Sequence, residues 1–168
     1  MDNWNWELVH FLFSSFYYYF QFTKNHFLLK SEKLRLVVRK SLKNILVQAV
    51  QYAPNGDHTL LMVNSKELEQ YGWKGYKRNV PAAYLVGYLF GMKAKKIGMD
   101  NLILDKGLYV SRNGTIIYSV LKGVVDAGIN IPHSGEIFPE EERLKGKHIS
   151  EEIEKMLEAT KNNIQKVK

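Results

Sequence analysis

From residue 34 onward, apolar positions come in short runs cut by strong turn signals. LRLVVRKS at 34–41 reads as a β-strand, and NILVQAVQYA at 44–53, rich in Ile and Val, as a second. Pro54-Asn55-Gly56-Asp57 follows, and Asn-Gly favours the positive φ that a tight turn needs. HTLLMVN at 58–64 completes a third strand, so 34–64 predicts an antiparallel meander. Ser65 is placed to cap a short helix running to about Tyr71. Gly72 to Arg78 reads as a loop. Asn79 then caps a long helix with Pro81 in its first turn, ending near Gly98. Along that helix Ala83, Gly87, Gly91 and Ala94 make a stripe of small residues. Interior glycines cost a helix about 1 kcal/mol each, so the stripe predicts close approach by another backbone, either a sheet surface or RNA.

The second half alternates in the same way. Residues 101–105, NLILD, predict a short strand, and 106–114 a loop ending in Arg112-Asn113-Gly114. An amphipathic helix is expected over 115–127, with Gly128 closing it. A loop from Ile129 to Pro139 precedes a short helix at Glu140–Lys145 and a charged helix over 149–166. No internal repeat is visible. The order predicts one α/β domain, with a mixed sheet of three to four strands and packed helices.

Composition changes this picture at the front. Residues 1–27 hold 11 of the chain's 21 aromatics. Asp2, Glu7 and Lys24 leave that segment at −1, so the other 141 of the 168 residues carry +8 of a net +7. The run LVHFLFSSFYYYFQF at 8–22 is 15 residues long and broken by His10, Ser14, Ser15 and Gln21. A membrane span needs about 20 mostly apolar residues, and a secretory signal needs a basic start and small residues at a cleavage site. A membrane anchor, an interfacial segment, a docking strand and a non-native start all remain open for this leader. An out-of-frame reading of an A/T-rich stretch would give the same Phe/Tyr/Asn/Lys bias. The expected organisation is a leader at 1–27, an α/β domain at 28–149 and a charged helical tail at 150–168.

Charge narrows the chemistry. Residues 30–43 carry net +5, 74–96 carry +6 with no acid, and 143–147 carry +3, whereas 100–142 carry −4. Clusters of this kind suit a face turned to a phosphate backbone. Trp73, Tyr76 and Tyr71 lie beside the middle cluster, in sequence reach of stacking on unpaired bases. Trp73 could equally root its loop in the core. With no cysteine there is no disulfide, thiol nucleophile or cysteine-ligated metal. His10, His26, His58, His133 and His148 share no metal-ligand spacing. No nucleophile elbow or P-loop is present, and no acid–base pair stands out. Asp105 closes a strand, a place for a catalytic carboxylate but also for a turn residue. The expectation is no catalytic residue, no metal, no cofactor and no small-molecule substrate.

Three long stretches resemble one family throughout. They run LLKSEKLRLVVRKSLKNILVQAVQYAPNGDHTLLMVNSKELEQYGWKG, NVPAAYLVGYLFGMKAKKIGMDNLILDKGL and LKGVVDAGINIPHSGEIFPEEERLKGKHI. The family is the universal large-subunit ribosomal protein eighteen in its archaeal and eukaryotic form, and the likeness extends from about Leu28 to about Ile149. It implies an RNase-H-like topology of the translational machinery, a structural role without catalysis, and a cytoplasmic, ribosomal location. It further implies binding to 5S rRNA, with large-subunit rRNA and neighbouring proteins of the central protuberance as partners. The RKS segment then places Arg39, Lys40 and Ser41 at RNA backbone, and YGWKG places Trp73 and Lys74 beside RNA. ERLKGKH adds Arg143, Lys145, Lys147 and His148. The charge clusters extend this RNA-binding set to Arg35, Lys43, Lys77, Arg78, Lys93, Lys95 and Lys96, and Asn44 and Arg112 are expected to join it. At its front the sequence departs from the family, which carries a basic arm where this chain has its acidic aromatic leader. Either the arm is lost or residues 1–26 are not the native start; the composition favours the second. A different class, a membrane-tethered interaction protein anchored by 8–22, rests on that leader alone.

Overall fold

A computed structural model describes residues 33–166. The leader at 1–27, with the anchor reading built on it, lies outside the described residues. Among those described, no helix is long and apolar enough to cross a membrane.

The expected meander forms. Strand β1 (Arg35–Lys40) pairs antiparallel with β2 (Ile45–Gln51), with Val37 opposite Gln48. Strand β3 (His58–Asn64) continues the antiparallel run, with Val47 opposite Val63 and a register shift at Ala49/Val50. Strand β4 (Ile103–Asp105) adds parallel to the other side of β1, giving the order β3-β2-β1-β4. Alternation sets the faces: Leu36 and Val38 of β1, Ile45, Val47 and Ala49 of β2, and Val63 of β3 are fully buried.

A parallel partner for β1 requires a crossover, and helix α1 (Val80–Lys96) supplies it. Asn79 caps it as expected, accepting from the Ala82 amide at 2.9 Å. Every residue from Val80 to Gly91 is buried, so α1 has no solvent face over its first three turns. A helix apolar all round must be enclosed. The sheet lies on one side, and α2 (Ile116–Asp126) and α4 (Glu151–Gln165) lie on others. A short α3 (Glu141–Lys145) packs near the start of α1.

The small stripe faces neither expected partner. It meets α2. A Cβ on Gly87 would collide with the Val120 carbonyl, and one on Gly123 of α2 would collide with the Tyr84 carbonyl. One on Gly91 would come within 2.5 Å of the Ala127 Cβ. The glycines therefore let two helix backbones touch. The Ser65 cap is also corrected. Asn64 caps the 3₁₀ helix Ser65–Tyr71, accepting from the Lys66 amide at 3.0 Å while Glu67 accepts from the Asn64 amide at 2.8 Å. Ser65 is buried and accepts instead from the Ile45 amide at 3.1 Å, satisfying the first residue of β2.

The C-terminal helix is a packed element. Ser150 caps it, and Leu157, Thr160 and Ile164 are buried. Lys161 donates to the Tyr84 hydroxyl at 2.7 Å, which donates to Asp126 at 3.0 Å, and Gln165 donates to Tyr88 at 2.8 Å. Burial, and then the Asp126 charge, push the Tyr84 hydroxyl well above its usual pKa.

Glycine-to-alanine in an ordinary helix interior stabilises by about 1 kcal/mol. At Gly123 the expected sign is opposite: Gly123→Ala lowers stability by about 2–3 kcal/mol, as for an overpacked core. Urea unfolding followed by circular dichroism checks it, and a raised midpoint would refute the close crossing.

Candidate nucleic-acid interface

Two of the basic segments meet in space. The β1–β2 turn, Ser41 to Asn44, is closed by its own chemistry: the Ser41 amide donates to the Asn44 carbonyl at 2.9 Å, and the Asn44 amide donates to the Ser41 hydroxyl at 3.0 Å. The turn pushes the Leu42 carbonyl outward. Tyr76, 34 residues away in sequence, donates its hydroxyl to that carbonyl at 3.1 Å, and Arg78 donates to it at 3.4 Å. The turn and the 72–78 loop thus form the two walls of an open hollow of about 1030 Å³. Lys43, Lys66, Lys74 and Lys77 line it, with Glu69 the single acid of the lining. Lys77 is ion-paired with Glu69, which leaves three lysines uncompensated among the described residues.

Trp73 is rooted in the core. It is fully buried, and its ring lies against Gly75, where a Cβ would come within 2.9 Å. Its indole N–H donates to the Tyr76 carbonyl at 3.4 Å. The expected stacking role for Trp73 is therefore corrected: a ring with no exposed face cannot receive a base. Tyr71 is half-buried, and Tyr76 is the ring that reaches solvent.

The other expected residues divide. Arg35, at the far end of β1 from Ser41, is committed to ion pairs with Asp57 and with Asp105 at 3.3 Å. Arg39 pairs with Asp105 at 3.5 Å and donates to the Asp105 carbonyl at 3.1 Å. Its guanidinium lies close over Gly107, whose φ of +60° no bulkier residue would adopt readily. Asp105 also accepts from the Gly107 amide at 2.8 Å. This carboxylate is thus a turn and pairing group that holds two arginines on the sheet. Lys40 lies over the Tyr109 ring, 4.8 Å from its centroid.

Helix α1 spreads the middle cluster over about 25 Å, at 1.5 Å per residue. Lys93 pairs with Glu67 at 2.6 Å, while Lys95 and Lys96 are exposed in its last turn. Arg143, Lys147 and His148 share a second hollow with Glu140 and Glu142. Gly114 lies against Arg143 and Pro139, which brings the Arg112 loop alongside. Lys145 faces a separate hollow lined also by Tyr84 and Asp126. Sequence reasoning does not find Leu42 and Lys66: an apolar turn residue and a lone lysine carry no signal until the turn and loop are brought together. Among the described residues no cluster of His, Cys, Asp or Glu could hold a metal ion.

Comparison with known proteins gives a family. The family model for ribosomal large subunit proteins 60S L5 and 50S L18 matches residues 22–103. The chain is 50% identical over 131 residues to the large ribosomal subunit protein uL18 of Korarchaeum cryptofilum, covering 78% of this chain and 67% of that one. It is 45% identical over 141 residues to the uL18 of Methanosphaera stadtmanae, covering 84% and 73%.

The Asp105 side chain is 9% exposed and that of Arg35 12%, so removing the carboxylate strands a nearly buried cation. Asp105→Ala is expected to cost about 2–4 kcal/mol of stability. Arg39→Ala, at a half-exposed position, is expected to cost about 1 kcal/mol or less. Chemical denaturation of both variants checks the ranking, and equal losses would contradict it.

Proposed function

The chain belongs to the uL18 family of large-subunit ribosomal proteins, in its archaeal form, and from that premise we propose that it binds 5S rRNA through the hollow between Ser41–Asn44 and the 72–78 loop. As a large-subunit protein it is a structural component of the cytoplasmic ribosome and not an enzyme. Its role under this proposal is to help attach 5S rRNA to the large rRNA in the central protuberance, beside neighbouring large-subunit proteins.

The observation that carries the proposal is the clip at the Leu42 carbonyl, which joins two basic segments into one cationic surface. Phosphate contacts by lysine position RNA without reading its sequence. Specificity then comes from shape, from the arrangement of cations and from any unpaired bases within reach. Arg39, half-exposed and held by Asp105, presents a guanidinium in one fixed pose on the same strand. The Arg143–His148 segment and the exposed Lys95 and Lys96 offer further phosphate contacts on other parts of the surface.

Binding to a 5S rRNA transcript should weaken steeply with salt, with a log–log slope of about −0.7 to −0.9 per neutralised phosphate. Lys43→Gln combined with Lys74→Gln should make that slope shallower by about 1.5. Lys155→Gln combined with Lys166→Gln, exposed on and just after α4, should leave it unchanged. Lys161 is unsuitable as a control because it is tied to Tyr84. Filter binding across a salt series, with transfer RNA as competitor, reads all three. Equal affinity for the competitor, or equal effects of the two pairs, counts against the proposal.

A further inference from the structure

We propose that the hollow at the Leu42 clip holds one unpaired nucleotide, with its base stacked on the Tyr76 ring and its phosphate among Lys43, Lys66 and Lys74. This rests on the RNA-binding reading above and adds a subsite to it.

The wall residues are what a duplex-binding surface does not need. Tyr76 is 57% exposed and Leu42 83% exposed. Phosphate recognition along a helix uses cations and amides, and gains nothing from apolar side chains left in water. A base lifted out of a helix needs an aromatic face. Tyr76 supplies one that is already fixed. Its hydroxyl is tied to the Leu42 carbonyl at 3.1 Å, and its own carbonyl is tied to the indole of fully buried Trp73. Ring and loop are therefore ordered before any ligand arrives, so stacking costs little further entropy.

Charge points the same way. The lining carries four lysines against Glu69, and Lys77 neutralises that acid. The ammonium groups of Lys43, Lys66 and Lys74 make no ion pair among the described residues. The hollow is thus net positive beside an exposed aromatic and an exposed leucine. At about 1030 Å³ it has room for a nucleotide with its solvation. An acidic peptide is the competing occupant; it would use the cations but leave the ring's face without a planar partner.

The test uses the full chain, two RNA probes and three variants. The probes are a 5S rRNA transcript and a fluorescent unstructured RNA octamer, with a blunt RNA duplex of equal charge as reference. Tyr76→Ala should weaken octamer binding about tenfold, leave duplex binding unchanged and leave the salt slope unchanged. Tyr76→Phe, which loses the hydroxyl's bond to Leu42 but keeps the ring and the Arg78 bond, should retain most of the affinity. Lys74→Gln should instead make the slope shallower by about 0.7. Circular dichroism melts of each variant confirm that the fold is kept. Octamer binding indifferent to Tyr76→Ala overturns the subsite, as does full displacement of the octamer by poly-glutamate at matched charge. If the octamer binds through Tyr76 but the transcript is bound no better than transfer RNA, the subsite stands and the 5S reading fails. If the transcript is bound specifically and Tyr76→Ala changes neither probe, the 5S reading stands and the subsite fails.

Discussion

The fold hangs on the contact between two helix backbones. Helix α1 is buried all round for three turns, so every neighbour takes its position from it. The sheet needs α1 as the crossover that brings β4 parallel to β1. The far side of α1 needs a helix close enough to leave no void, and Gly87, Gly91 and Gly123 permit that approach. The helix-propensity cost of three glycines is offset by the dispersion contacts that follow from close packing. Once α2 is fixed, Asp126 meets Tyr84, and Lys161 can hold α4 across the same hydroxyl. Tyr84 thus links α1, α2 and α4 through one polar group.

The cationic hollow depends on the same pillar at one remove. The 72–78 loop ends at Asn79, the cap of α1, and its indole is driven into the core beside it. A loop anchored at both points has little freedom, and its Lys74, Tyr76 and Lys77 line the hollow. The β1–β2 turn comes from the opposite direction in sequence and meets it at a single carbonyl. Neither segment forms the hollow alone. The turn has one lysine beyond β1 and no aromatic, and the loop has cations with no second wall.

Much of this is legible in the chain. Strand alternation places β1, β2 and β3 within a residue or two, because the sheet has one face against the core and a period of two is hard to mistake. Asn79 and Pro81 announce the start of α1. The ordered family motifs fix the fold and the kind of partner. The errors are tertiary. Asn64 and Ser65 are both good caps, and which of them caps is decided by the unsatisfied Ile45 amide, which claims the serine. A stripe of glycines says that something approaches, not what. Trp73 beside lysines reads as a stacking ring or as an anchor until its burial is known. Asp105 looks like a carboxylate in search of chemistry; two arginines 66 and 70 residues away in sequence occupy it.

The sequence by itself determined the elements, the mixed α/β class, the absence of sulfur chemistry and the family, since each is carried by local pattern or by motifs in order. It also located the positive charge along the chain. Only the tertiary structure decided which of those charges are available. Arg35 and Lys93 are taken up by acids more than 20 residues away and Lys77 by nearby Glu69, whereas Lys43, Lys66 and Lys74 are left facing one hollow. The reason is that charge is additive along a sequence but pairing is not: it depends on separations of a few ångströms, which exist only after the chain has folded.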